Sequence, residues 1–161
     1  MLPRVIVNTA VSADGRIDWF TPNIGLFYGL VGRWKEDATL VGSETILKAP
    51  DYAPDSGDGR WAANDADTRP LLVIPDSRGR VRNWGHLQQA GYWRGGVALC
   101  SSATPKSHLQ YLEARGVEVI TAGADRVDLR DALEELDVRH GVKVLRVDSG
   151  GVLSGVLLRA G

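Results

Sequence analysis

Near the end of the chain, Asp148-Ser149-Gly150-Gly151 joins an apolar strand-like run to a second apolar run. Adjacent glycines let a backbone approach a ligand closely. A helix opening after them would aim unpaired N–H groups and a partial positive charge at a phosphate. The same spacing also serves a tight strand-to-helix turn, so the motif alone leaves both readings open.

Three further stretches carry candidate chemistry. "NTAVSADGRID" runs a first strand into an Asp14-Gly15 turn, and its polar residues Asn8, Ser12 and Asp14 fall at even spacing. In extended backbone they share one face. Amide, hydroxyl and carboxylate on one face must bond to each other, to a ligand or to water, since burying them unpaired is costly. A solvated strand end with an Asp-Gly turn is the competing account. In "TLVGSETI", Gly42, Ser43 and Thr45 follow a strand, where they serve either a helix cap or a phosphate. In "PDSRGRVRNW", Arg78, Arg80 and Arg82 follow another strand, as a phosphate fork or as a solvated basic turn.

Other chemistries find no pattern. His86, His108 and His140 are scattered, and no Cys or His pair has zinc spacing. Counted from Asp55, Arg60 occupies the place of the glycine that a calcium loop needs. No Gly-x-Ser-x-Gly elbow and no Gly-x-x-x-x-Gly-Lys loop occurs. Of the five tryptophans, Trp19 and Trp61 are candidates for a pocket wall.

The elements that must position these residues alternate. Apolar, β-branched runs fall at Arg4–Val11, Thr39–Gly42, Leu71–Ile74, Val97–Cys100, Val117–Ile120 and Val144–Val147. Continuous apolar runs suit strands covered on both faces. Between them, "TPKSHLQYLEARG" predicts a helix capped at Thr104, with Pro105 first and Gly116 as the stop. "DLRDALEELDVRHG" predicts another, capped by Asp128 and stopped by Gly141, with Leu129, Ala132, Leu133 and Leu136 on its apolar face. A glycine-weakened helix is expected over Ile24–Asp37. The pattern predicts an α/β fold: a three-layer sandwich with a mainly parallel central sheet and helices on both faces. Ligands in such folds bind beyond the carboxyl ends of the strands. Pro50–Pro70 breaks the alternation and reads as a lid, a binding loop or a disordered segment.

With 161 residues, 43% apolar and 24% charged, the chain suits one domain with one core. A net charge of -1 argues against broad nucleic-acid or anionic-membrane binding. The single cysteine, Cys100, favours a reducing compartment. No leader and no apolar run of membrane-spanning length is apparent, so a soluble cytoplasmic protein is expected.

In order, "PRVIVNTAVSADGRID", "RWKEDATLVGSETI", "LLVIPDSRGRV" and "VLRVDSGGVLSGVLLRAG" resemble the dihydrofolate-reductase-like superfamily. They are most similar to the reductase domain of riboflavin biosynthesis, the C-terminal domain of pyrimidine deaminase/reductases. The resemblance spans nearly the whole chain. It implies one reductase-like domain over 1–161 that uses NADPH to reduce a small-molecule substrate, a ribosylamino-pyrimidine 5′-phosphate. Hydride would pass to C1′ of its ring-opened imine. It implies a homodimer.

By position, the resemblance puts the active-site acid at Asp14, with Asn8, Ser12 and Arg33 toward the substrate. It puts Ala10 beside the nicotinamide, Gly15 and Ile17 in the loop over it, and Gly42, Ser43 and Thr45 at the phosphates. Ser77 and Arg78 fall near the 2′-phosphate, and Asp148, Gly150, Gly151, Val152 and Leu153 at the pyrophosphate. Two departures stand out. "FTPNIGLFYGL" and "LKAPDYAPDSG" replace the family's substrate segments, and its Val-Asp-Glu segment and two further strands have no counterpart within 1–161, so either the sequence is a shortened piece or a sheet edge is left for a partner to cover. The alternatives are an NADP-binding module without reductase activity and a dihydrofolate reductase proper.

Overall fold

The computed structural model describes residues 1–17, 19–55, 59–62, 64 and 66–160. Six strands form one sheet: β1 (Arg4–Val7), β2 (Ala38–Leu40), β3 (Leu71–Pro75), β4 (Gly95–Cys100), β5 (Glu118–Thr121) and β6 (Val144–Val147). Their spatial order is β1-β6-β2-β3-β4-β5, and every pairing is parallel. The helices are α1 (Ile24–Val31), α2 (Ser43–Leu47), α3 (Trp84–Gln89), α4 (Lys106–Ala114), α5 (Leu129–His140) and α6 (Gly151–Ala160).

Strand alternation sorts the core into two layers. Leu40, Leu71, Val73, Val97, Leu99, Leu145 and Val147 point to one face, where Leu129, Leu133 and Leu136 of α5 and Leu153 of α6 cover them. Leu72, Ile74, Ala98 and Cys100 point to the other, under Ile46 of α2, Trp84 and Leu87 of α3 and Leu112 of α4. The expected three-layer sandwich is present.

Local signals account for most element boundaries. The Asp128 carboxylate accepts from the N–H groups of Arg130 and Asp131, at 3.0 and 3.2 Å. Gly141 ends α5 at φ +65°, where a side chain is disfavoured. Asn23 caps α1 by accepting from Leu26 N–H at 2.9 Å. This helix stops at Gly32, short of the expected Asp37.

Thr104 does not cap α4. Its Oγ1 accepts from Ser101 N–H and donates to Ser77 O, tying two turns together, and Pro105 takes the cap position. The first strand is shorter than expected, ending at Val7.

Within the described residues, the 50–70 segment is pinned rather than lid-like. Asp55 accepts from Gly85 N–H, His86 N–H and the Tyr111 hydroxyl, at 2.8, 3.1 and 2.7 Å, satisfying the opening of α3. Trp61 is buried in the second core layer. Trp19, by contrast, is almost fully exposed and lines no described cavity.

Candidate active site

The strand order reverses at β6, which returns to lie between β1 and β2. Such a switch point opens a crevice at the carboxyl ends of the strands. A cleft of about 410 Å³ lies there. Asn8, Thr9 and Ala10 after β1 form one wall, and Asp148, Ser149 and Gly150 after β6 form another. Ile24, Phe27 and Tyr28 of α1 close the third side, with Ile17 and Thr45 at the rim. A second groove, about 300 Å³, runs between β1, α5 and α6, lined mainly by Leu2, Val5, Val7, Leu133 and Leu157. It is mainly apolar, with Arg130 its one charged lining residue, whereas the mixed cleft lies at the switch point and gathers Asn8, Asp148 and the glycine turn; that cleft is the candidate site.

The glycine corner is open. A Cβ at Gly150 would meet nothing within 4 Å, and one at Gly151 would meet only Ile17 Cδ1, at 3.6 Å. Backbone N–H groups of the first turn of α6 are therefore accessible to an anion. The neighbouring turn at Gly42 presses close: a Cβ there would lie 2.7 Å from Ser149 Oγ. Thr45 Oγ1 and Ser149 Oγ are hydrogen-bonded at 3.0 Å, which joins the two turns. Asn8 Nδ2 is buried with no partner among the described residues, a donor left for a ligand. This cradle of open glycines, helix N-terminus and unpaired amide fits an anionic dinucleotide.

Asp14 lies elsewhere. Its side chain is 63% exposed, paired with Arg16 at 2.9 Å and hydrogen-bonded by Ser12. Ser12 also receives Gly15 N–H at its carbonyl, and Gly15 has φ +84°. The polar face expected of Ser12 and Asp14 is thus spent on a local turn, and of the even-spaced trio Asn8 alone enters the cleft. Arg33 lies past the end of α1 and does not line it either.

The carboxylate that does line the cleft is Asp148. Desolvation by burial, followed by the Asp148 charge, pushes the Tyr28 phenol above its ordinary value. Sequence reading missed Tyr28; the signal was the aromatic pair Phe27-Tyr28 in an otherwise aliphatic helix, whose rings meet edge to face at 5.1 Å.

Other residues are used differently from expectation. Leu153 packs into the core, so only its backbone is available to a ligand. Val152 is exposed beside it. Ser77 Oγ accepts from Val127 N–H at 3.0 Å. Arg80 is paired with Glu44, and Arg82 lies over the Tyr111 ring. Arg78 is exposed and has no ion pair with a described residue, leaving it the available arginine of that turn. No group of described His, Cys, Asp and Glu residues is arranged to hold a metal ion.

A family model for the RibD C-terminal domain matches residues 3–161. The chain belongs to the RibD C-terminal domain family. Riboflavin biosynthesis protein RibD of Chlamydia muridarum is 32% identical over 173 residues, covering 98% of this chain and 43% of that protein. The RibD of Chlamydia trachomatis is 29% identical, covering 94% and 41%. The chain therefore spans less than half the length of these relatives.

A pyrimidine reductase-like protein from Corynebacterium diphtheriae shares the fold at TM-score 0.69 and 18% identity, over 99% of this chain and 70% of that one. Saccharomyces cerevisiae riboflavin biosynthesis reductase Rib7 does so at TM-score 0.63 and 20% identity, over 98% and 68%. The expected α/β fold with a parallel central sheet is thus shared with both structures.

Proposed function

We propose that this RibD-type domain is an NADPH-dependent pyrimidine reductase of riboflavin biosynthesis, acting on a ribosylamino-pyrimidine 5′-phosphate. One observation carries the reading: an open glycine corner and the Asp148 carboxylate line one wall of a cleft at the switch point of the sheet, which the unpaired Asn8 amide also lines. Bound NADPH would supply the hydride. The chain's own contribution is to hold two reactants in register and to shield the reacting atoms from water.

The backbone of Gly150, Gly151, Val152 and Leu153 is assigned to the pyrophosphate, supported by the helix start at α6. Gly42, Ser43 and Thr45 extend that cradle, and Ser77 and Arg78 are assigned to the 2′-phosphate. Ala10 and Ile17 are assigned to the nicotinamide side and Asn8 to a substrate acceptor. Asp148 cannot favour a phosphate, since like charges repel. It is assigned instead to a substrate N–H or O–H donor, the role the sequence resemblance gave to Asp14.

The test is oxidation of NADPH with pyrimidine ribosylamine phosphates, with dihydrofolate as comparison. Turnover with the ribosylamines alone is expected; turnover of neither by an intact, NADPH-binding chain overturns the reading. That last outcome would select an NADP-binding module without reductase activity, a reading favoured by the position of Asp14 outside the cleft.

We further infer a cytoplasmic homodimer. Val5 and Val7 of β1 and Leu157 and Leu158 of α6 line one mainly apolar groove, a surface that soluble monomers rarely leave bare. Light scattering at micromolar concentration is expected to give twice the chain mass. No described helix is long and apolar enough to cross a membrane.

A further inference from the structure

Arg146 sits in the middle of β6, in register with Ile6 of β1 and Thr39 of β2. Alternation puts it on the same face as Asp148, two residues on. It is 6% exposed. Its Nε lies 2.9 Å from Glu36 Oε1, Nη2 lies 3.3 Å from Thr39 Oγ1, and Nη1 lies 3.1 Å from Asp148 Oδ2. The Glu36 side chain is 9% exposed and that of Asp148 28%. The guanidinium thus bridges two carboxylates, one sealed beneath the sheet end and one on the cleft wall. The Nη1 contact is close but misaligned, so this buried nitrogen has no true hydrogen bond.

Stability does not explain this arrangement. Taking an arginine and a glutamate out of water is costly, and an aliphatic pair of similar volume is often as stable or more so. Every other β6 side chain is aliphatic. What an arginine adds is a planar fork that can grip a carboxylate from one side while its own charge is balanced from the other.

We propose that Arg146, balanced by Glu36, is a positioning residue that fixes the Asp148 carboxylate at the cleft wall as a hydrogen-bond acceptor for the substrate. The proposal rests on the reductase reading above. Arg146 lies beneath the cleft and touches no reactant; it acts through Asp148. The trio carries one net negative charge, so the Asp148 carboxylate selects a neutral or cationic donor such as an amino or hydroxyl group. The poorly aligned Nη1 leaves the carboxylate room to turn toward such a donor without leaving its anchor.

The experiment is a double-mutant cycle on the full chain with Arg146→Met and Asp148→Asn, read as kcat, substrate KM and NADPH Kd. Arg146→Met is expected to lower kcat about 10²-fold, the scale of a lost positioned polar group, with NADPH Kd changed less than about twofold. Arg146→Lys, which keeps the charge but not the fork, should recover part of the loss. The double variant should be no slower than Asp148→Asn alone. Independent, multiplying losses would overturn the proposal, as would wild-type kcat in Arg146→Met or an equal loss in NADPH affinity. Should Arg146→Met fail to fold, the same cycle with Arg146→Lys decides it by the same criterion. A wild-type chain that does not turn over would overturn the reductase reading and this proposal together; turnover with an indifferent Arg146 overturns this proposal alone.

Discussion

The two sides of the sheet differ in how completely they are closed. Along β3 and β4, residues from Leu71 to Ile74 and from Gly96 to Cys100 are buried, with helices on both faces. Around β1 and α1 the reverse holds: Val5 and Val7 are exposed, and α1 has no buried residue although seven of its eight neighbouring positions from Ile24 are apolar or glycine. Buried polar groups on the closed side, such as Asp76 and Asp55, are bonded to backbone and hold turns. Unpaired buried atoms occur in both regions: Trp61 Nε1, Asp76 Oδ1, Asn83 Oδ1 and Trp84 Nε1 in the closed half, Asn8 Nδ2 and Arg146 Nη1 on the open side. Close packing makes a rigid frame. What sets the open side apart is that Asn8, with its unpaired donor, lines a cleft that a ligand can enter.

This contrast can be broken most forcefully by truncation. Trp84→Ala, in the closed half, should cost about 3–5 kcal/mol. Leu26→Ala on the 62%-exposed side chain of α1 should stay within about 0.5 kcal/mol. Urea unfolding measures both; similar losses would mean that α1 is packed in solution.

Gly42→Ala comes next. Its Cβ would force Ser149 away and break the bond to Thr45. NADPH Kd should rise about tenfold, or ~1.4 kcal/mol, with little change in unfolding midpoint. An unchanged Kd would remove this corner from the cofactor site.

A pH dependence sharpens the closed half. His108 is fully buried beside Asp76, with Nε2 3.4 Å from Oδ2. Burial, the largest influence, lowers its pKa from 6.5; Asp76 opposes this and Arg82 adds to it. Below 6.5 and down to the folded value, the unfolded chain binds a proton that the folded chain does not. Stability is therefore fully present above about pH 6.5 and lost as pH falls through that window. His108→Gln should flatten this limb in unfolding experiments from pH 7.5 to 5, while an unchanged slope would assign it to another group.

The smallest effect is expected at Asp14→Asn. Losing an exposed pair with Arg16 should shift stability by no more than about 0.5 kcal/mol. NADPH affinity should be unchanged and kcat should fall far less than in Asp148→Asn. A kcat loss equal to that of Asp148→Asn would show that the loop folds over the cleft during turnover.

The fold was largely legible because strand burial on two faces writes itself as apolar runs, and because Asp128, Gly141 and Asn23 act through their own neighbours. The short helix α3 was not legible: its cap residue Asn83 makes no side-chain bond to it, and its opening is satisfied by Asp55, nearly thirty residues earlier. Of the candidate site, the turn into α6 was readable from "DSGG", although a Cβ would meet nothing within 4 Å at Gly150 and neither Gly150 nor Gly151 takes a positive φ. The choice between two carboxylates was not. Asp14 sits in the better-known pattern, yet Ser12 and Arg16 occupy it; Asp148 is addressed by Arg146, whose charge stood visibly inside an apolar run.

The sequence by itself determined the alternation of elements and the parallel sheet, because each follows from the periodicity of the apolar residues. Only the tertiary structure decided which polar groups meet. Glu36, Thr39, Arg146 and Asp148 come together because β6 inserts beside β2, and a contact across more than a hundred residues leaves no trace in local spacing.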